Sequence, residues 1–347
     1  MKDHALRFLT LVGRKLGLFL VIYLMASMAL FLAIRAIPGD PIALRLKNPD
    51  PVRVAQERER LGLEKPVMTQ YVIYCKRFWT GDWGRSLLSG RPVREDVARY
   101  FPATLELSFC GLLLGILVGV ITAVFAEVFS LGILRKMSFL LGTVGLTLPI
   151  FWIGLLSLIV GSLWLGWFPG GGRFDLSLIK PFNVTGFLTI DSLLEGDLVK
   201  FGVALNFLAL PAFCLSFYPA AQVCSVLRAR LQDPRLITLV AALKARGIGP
   251  VRIWVRHVLK VVSAPVITVI GTNFGALLGG AVLTETVFSW PGLGRYLVSA
   301  VLNRDLYVVQ NVLLLVILLV VSVVFLADFL AILINPVATC DAEGEDS

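Results

Sequence analysis

The chain has 347 residues, of which 57% are hydrophobic and only 16% charged, with a mean hydropathy of +0.84. Soluble domains run nearer half apolar and a quarter charged, so a soluble globular fold is excluded. The net charge of +9 falls largely on segments between apolar runs, which points to membrane topology rather than to nucleic acid.

Six runs lack Asp, Glu, Lys and Arg: 16–34, 107–126, 137–172, 201–227, 261–284 and 306–327. A helix needs about 20 apolar residues to cross the hydrocarbon core. Each run is near that length or longer, which predicts an all-α polytopic membrane protein with six transmembrane helices. The first run is long for a signal core, and Ile37-Pro38-Gly39-Asp40 follows it in place of a small-x-small cleavage site. It reads as a retained first helix.

The first outer segment, 36–102, is far longer than an ordinary connection. It holds a Pro-Gly-Asp-Pro turn at 38–41, a polar helical stretch at 52–61 and an amphipathic aromatic stretch at 71–79. It is read as a folded outer cap, either resting on lipid headgroups or docking an external partner. The third run carries Pro149, which breaks the helix and serves as a pore-lining bend or a packing kink.

The segment 228–260 interrupts the apolar pattern with eight Lys or Arg and one acid, Asp233. Within it, 237–247 predicts a short helix ended by a left-handed Gly247, with Pro250 beyond. Small residues at Ala241, Ala242 and Ala245 would let that helix sit close against a partner, flanked by Arg246, Arg252 and Arg256. Cytoplasmic loops collect Lys and Arg near helix ends, so 1–15, 127–137 and 228–260 are expected inside, with both termini cytoplasmic.

Farther on, Glu285 precedes Trp290-Pro291-Gly292-Leu293-Gly294. The expectation is an outer gate, or a plain turn with Trp290 as an interfacial anchor. Glycines 275, 279 and 280 before it allow close helix contact. Asp328, near the inner end of the last run, lines the pathway or pairs with a neighbouring helix.

The five cysteines are scattered and the only histidines are His4 and His257, so neither a metal site nor a disulfide frame is expected. The phosphate-binding pattern GxxxxGK[ST] does not occur, and no nucleophile–base pair can be assembled. That disfavours an enzyme. No internal repeat is visible and Asp328 is the one deep acid, which disfavours an ion-driven secondary transporter.

The ordered set LAIRAIPGDP (32–41), Leu61-Gly62-Leu63, GDWGRS (81–86), FPATLEL (101–107), LPIFWIG (148–154), LGWFP (165–169), Lys244–Gly247 with Arg256-His257 and Pro265, GGAVLTETVFSWPGLGR (279–295) and Asn303-Arg304-Asp305 resembles the permease subunits of bacterial ABC importers of the dipeptide/oligopeptide/nickel group. The resemblance covers 16–336. It implies the type I importer permease fold, N-in and C-in. It implies four regions: an N-terminus and first helix at 1–35, an outer cap at 36–102, a permease core at 103–336 and an acidic tail at 337–347. It implies an ATPase-coupling loop at Ala241, Ala242, Leu243, Ala245, Arg246, Gly247, Arg256 and His257. Its expected partners are a second homologous permease, two ATPase subunits that bind ATP and Mg, a solute-binding protein and membrane lipid. This chain is expected to carry no cofactor. The family's Glu-Ala-Ala motif places Ala241 where a glutamate stands, so docking here relies on small-residue packing. The implied cargo is peptide, with nickel or another solute as the alternative.

Overall fold

The computed structural model describes residues 2–36, 52, 65–128 and 132–334. The Pro-Gly-Asp-Pro turn, most of the 52–61 stretch, Leu61-Gly62-Leu63, Cys340 and the acidic tail lie outside the described residues. Among the described residues the regular structure is helical: α1 (Lys2–Arg35), α2 (Val67–Thr80), α3 (Val93–Val128), α4 (Gly132–Thr147), α5 (Ile150–Ser157, running into a π-helical Leu158–Trp164), α6 (Leu188–Glu195), α7 (Leu198–Leu231), α8 (Pro234–Ala245), α9 (Pro250–Ile253, then a π-helical Trp254–Val258), α10 (Leu259–Val287), α11 (Leu293–Leu302) and α12 (Leu306–Ile334).

Among the described residues, four stretches are long and apolar enough to cross a bilayer: Val12–Arg35, Val93–Glu127, Leu198–Leu231 and Leu306–Leu333. Two bent pairs bring the count to the expected six if each pair is one span. Gly132–Thr147 and Ile150–Trp164 meet at 109°, and Val251–Ser263 and Pro265–Gly279 at 52°. The sharper bend falls at Pro149, whose missing N–H and ring interrupt the helical ladder. Pro265 marks the milder one.

The centre of the bundle is the α3–α7 pair, the most extensive helix contact among the described residues. Gly111, Gly115 and Gly119 line one face of α3 at four-residue spacing. A methyl group at Gly115 would lie 2.8 Å from the Ser216 carbonyl oxygen, and one at Gly119 2.7 Å from that of Ala220. Lipid tails are as apolar as leucine, so helices in a membrane associate by such close backbone approach. α4 joins the same centre, where a methyl at Gly145 would meet the Ala221 side chain at 2.7 Å. α10 approaches α12 through Gly271 and Gly275, the latter facing Val320 and Val324. Gly279 meets no neighbour within 4 Å, whereas Gly275 makes the expected helix contact.

α1 packs on α12 at the periphery. Their rings meet at Phe19 and Phe325 (5.4 Å), and Lys15 Nζ donates to Asp328 Oδ2 at 2.8 Å. The aromatic stretch of the outer segment is α2. It lies along the C-terminal half of α1 and the N-terminal part of α12, with the Ser27 and Tyr71 hydroxyls 2.7 Å apart and Tyr74 donating to the Gln310 carbonyl at 3.2 Å. Cys75 lies on this helix.

Candidate functional site

The first candidate surface is α8 and the turn after it. Asp233 accepts the Arg235 N–H at 2.8 Å and Pro234 opens the helix, a strong N-terminal signal in which the proline's missing donor costs nothing. Leu236, Val240 and Leu243 recur at helical spacing and pack against Ala123, Cys224, Leu227, Ile253, Val258 and Val262. This seats α8 against α7 and α9, in one apolar cluster that also takes in residues of α3 and α10. On the opposite side Ala241, Ala242, Lys244, Ala245 and Arg246 are exposed. Leu243, expected among the coupling residues, lies beneath this surface as its anchor.

The helix closes as anticipated. Gly247 takes φ +75°, its N–H donates to the Lys244 carbonyl at 2.9 Å, and the Ile248 N–H reaches back to Leu243 at 3.2 Å. Such a double closure needs a left-handed residue, which glycine supplies without steric cost. The turn and the following helix start enclose an open cleft of about 800 Å³ bounded by Arg246, Gly247, Ile248, Gly249, Val251, Arg252, Val255 and Arg256. Three guanidinium groups therefore surround a partly apolar hollow. His257 is half-buried and stands outside its lining. Val251 and Val255 were missed by sequence reasoning. Their signal was two exposed valines four apart on a basic helix, with exposures of 75% and 63%.

The second candidate is the turn between α10 and α11. Glu285 ends α10 fully buried and accepts the Thr104 hydroxyl at 2.5 Å and the Arg295 N–H at 2.8 Å. Thr104 Oγ1 in turn accepts the Leu293 N–H at 2.7 Å. The free donors at the start of α11 are thus satisfied by a carboxylate and a hydroxyl from two other helices, and the negative group sits where the helix dipole favours it. Gly292 and Gly294 cross directly over the carboxylate, with no room for a side chain. Ser289 adopts φ +49°, and Pro291 follows the buried Trp290.

The interfacial position expected of Trp290 is not where it sits. It is 1% exposed, packs with Ala103, Leu107 and Leu215, and donates its indole N–H to the Ala103 carbonyl at 3.0 Å. A buried indole is stable only with such a partner. Arg173 lies 5.6 Å over its ring. The same guanidinium donates to Glu106 Oε2 at 2.5 and 3.2 Å and to the Gly186 carbonyl at 2.6 Å. Glu106 also accepts the Thr189 N–H and hydroxyl at 2.9 and 2.7 Å. Thr104, Glu106 and Arg173 thus belong to this site although sequence reasoning assigned them no part in it. Nearby, the Ser177 N–H and hydroxyl hold the exposed Asp175 carboxyl below its usual range.

Pro149 forms the α4–α5 break, and Asp328 pairs with Lys15.

Residues 115–338 match the family model described as binding-protein-dependent transport system inner membrane component. Residues 5–108 match the model for the N-terminal part of binding-protein-dependent transport system membrane components. The chain is 39% identical over 331 residues to the di/tripeptide transport system permease protein DppB of Pseudomonas aeruginosa, covering 94% of this chain and 98% of that protein. It is 35% identical over 332 residues to the dipeptide transport system permease protein DppB of Escherichia coli K12, with the same coverage of 94% and 98%. The probable D,D-dipeptide transport system permease protein DdpB of Escherichia coli K12 is 35% identical over 307 residues, covering 88% and 90%.

Proposed function

The chain belongs to the binding-protein-dependent transport inner membrane components, and from that premise we propose that it is the permease subunit of an ATP-driven importer of di- or oligopeptides. It is a multi-pass protein of the inner membrane. A second, homologous permease completes the pathway. Two cytoplasmic ATPase subunits bind ATP and Mg, and a solute-binding protein delivers the peptide from outside. This chain carries no cofactor of its own. The basic segments 1–15, 127–137 and 228–260 lie in the cytoplasm, with both termini inside. The outer cap, with the turn around Glu285, Trp290, Pro291, Gly292 and Gly294, faces the binding protein and closes the pathway.

The observation that carries this reading is the construction of α8. Its exposed C-terminal part, Ala241, Ala242, Lys244, Ala245 and Arg246, is small and basic, and its buried side, through Leu236 and Leu243, packs with α7 and α9 in one apolar cluster that takes in residues of α3 and α10. A partner seated on Ala241, Ala242, Ala245 and the arginine-lined cleft therefore pushes on α7 and α9 and, through that cluster, on α3 and α10. ATP closes the ATPase pair, α8 moves with it, and the pathway alternates between inward-open and outward-open. The ATPases shift that equilibrium only by contacting the two states differently. Peptide is favoured over nickel or another solute because relatives that align with 94% of this chain are named for peptide transport.

The test is coupled transport in vesicles holding the whole complex. Ala242→Arg and Gly247→Asp should abolish peptide-stimulated ATPase activity and uptake while the protein still inserts and assembles. Unchanged coupling in both variants would remove the docking role.

A further inference from the structure

Between α7 and α10 three polar side chains run in series within the spans Leu198–Leu231 and Pro265–Gly279. Gln222 Nε2 donates to the Tyr218 hydroxyl at 2.7 Å, and Asn273 Nδ2 donates to Gln222 Oε1 at 3.0 Å. Asn273 Nδ2 also donates to the Val269 carbonyl one turn back at 2.7 Å, which fixes the orientation of its amide. Asn273 is 1% exposed, and its Oδ1 has no hydrogen-bond partner. An orphaned buried acceptor is costly, and polar groups inside a membrane are there for function by default. Tyr218, by contrast, is half-exposed and uses its oxygen as acceptor, which leaves its own O–H to donate.

The surroundings point the same way. Where α1, α3 and α12 are uncovered they show large apolar side chains such as Leu18, Met25, Leu113, Leu117 and Leu330, as lipid requires. The uncovered stripe of α10 beside Asn273 is Thr272, Ala276, Gly279, Leu283 and Thr286. Small and hydroxyl-bearing residues suit a close helix or a polar solute rather than acyl chains.

We infer that Tyr218, Gln222 and Asn273 form a binding position for the main chain of a peptide in transit. It would offer one donor, the Tyr218 O–H, and one acceptor, Asn273 Oδ1. A peptide unit carries one C=O and one N–H, so the pair reads any peptide without regard to its side chains. In the present conformation Asn273 is covered. Its oxygen is reached when α7 and α10 part, so the position fills and empties with the transport cycle. This rests on the peptide reading above and adds to it where in the membrane the solute is held.

The experiment uses the complete reconstituted complex and a radiolabelled pool of dialanine, alanyl-leucine and alanyl-phenylalanine. Asn273→Leu and Tyr218→Phe should each slow uptake about fivefold to tenfold, the worth of one hydrogen bond. To separate contact from packing, the photo-crosslinker p-benzoylphenylalanine is placed at position 218 and, as a control, at the lipid-facing position 113. Label captured at 218 during turnover and not at 113 supports the site. Vesicles that import the pool yet capture no more label at 218 than at 113, or whose Asn273→Leu variant imports as well as wild type, overturn the site while leaving the peptide reading intact. Wild-type vesicles that import none of the pool overturn the peptide reading itself.

Discussion

Glu285 and Gly292 occupy one space: the carboxylate at the end of α10 fills the position a side chain at Gly292 would need. The backbone of Gly292, at φ −105° and ψ 178°, is ordinary extended chain that any residue adopts. Room for the carboxylate, rather than conformational freedom, is therefore what demands glycine there.

That distinction is measurable. Gly292→Ala should cost about 1–3 kcal/mol of stability, the usual penalty for forcing atoms into a filled site. Glu285→Ala empties the site but leaves the start of α11 without its acceptor. The double variant should lose less than the sum of the two single losses, because the residues are in contact. Thermal unfolding in detergent of all four proteins closes the cycle, and simple additivity would contradict the account.

Gly247 presents the opposite case. A side chain there meets nothing within 4 Å, yet φ is +75°. Gly247→Val should therefore strain the turn by about 1–2 kcal/mol, whereas Gly247→Asn, which tolerates the left-handed region, should be mild. Stimulated ATPase activity of the assembled complex should fall in the order glycine, asparagine, valine. Equal activity for all three would mean that the geometry of this turn does not matter to coupling.

The Arg173–Glu106 pair is buried, with side-chain exposures of 13% and 3%. Removing one partner strands a charge, so Arg173→Met should cost about 3–5 kcal/mol. Replacing both with methionine should cost less than replacing arginine alone. Unfolding midpoints of the two variants provide the comparison.

The Lys15–Asp328 pair is about a third exposed on each side, so screening limits it to about 0.5–1 kcal/mol. Lys15→Asp and Asp328→Lys should each loosen α1 from α12, and the charge-swapped double variant should recover most of the loss. Proteolytic release of the first helix gives the readout.

Much of this fold was legible in the chain because its signals are local. Six uncharged runs, the break at Pro149 and the Gly247 stop of α8 depend on residues close in sequence, whereas the start of α8 was read at 237 and falls at Pro234. The site was legible only in part. Ala241, Ala242 and Arg246 could be placed on a short basic helix, but which side of it faces outward depends on its packing against α7 and α9. Leu243 therefore read as surface and proved to be the anchor. Trp290 read as an interfacial anchor because Trp is common at membrane boundaries, and its actual partner, the Ala103 carbonyl, lies 187 residues away in sequence. The Thr104–Glu285 contact spans 181 residues. Runs that are apolar on all sides carry no amphipathic signal to show which helix meets which.

The account stands most directly on one measurement: peptide uptake by proteoliposomes containing this chain with its partner permease, both ATPases and the binding protein. Uptake that requires ATP and the binding protein, persists when ion gradients are collapsed and is lost in Ala242→Arg is the predicted result. Uptake by this chain alone, driven by a proton or sodium gradient and indifferent to ATP, would contradict it.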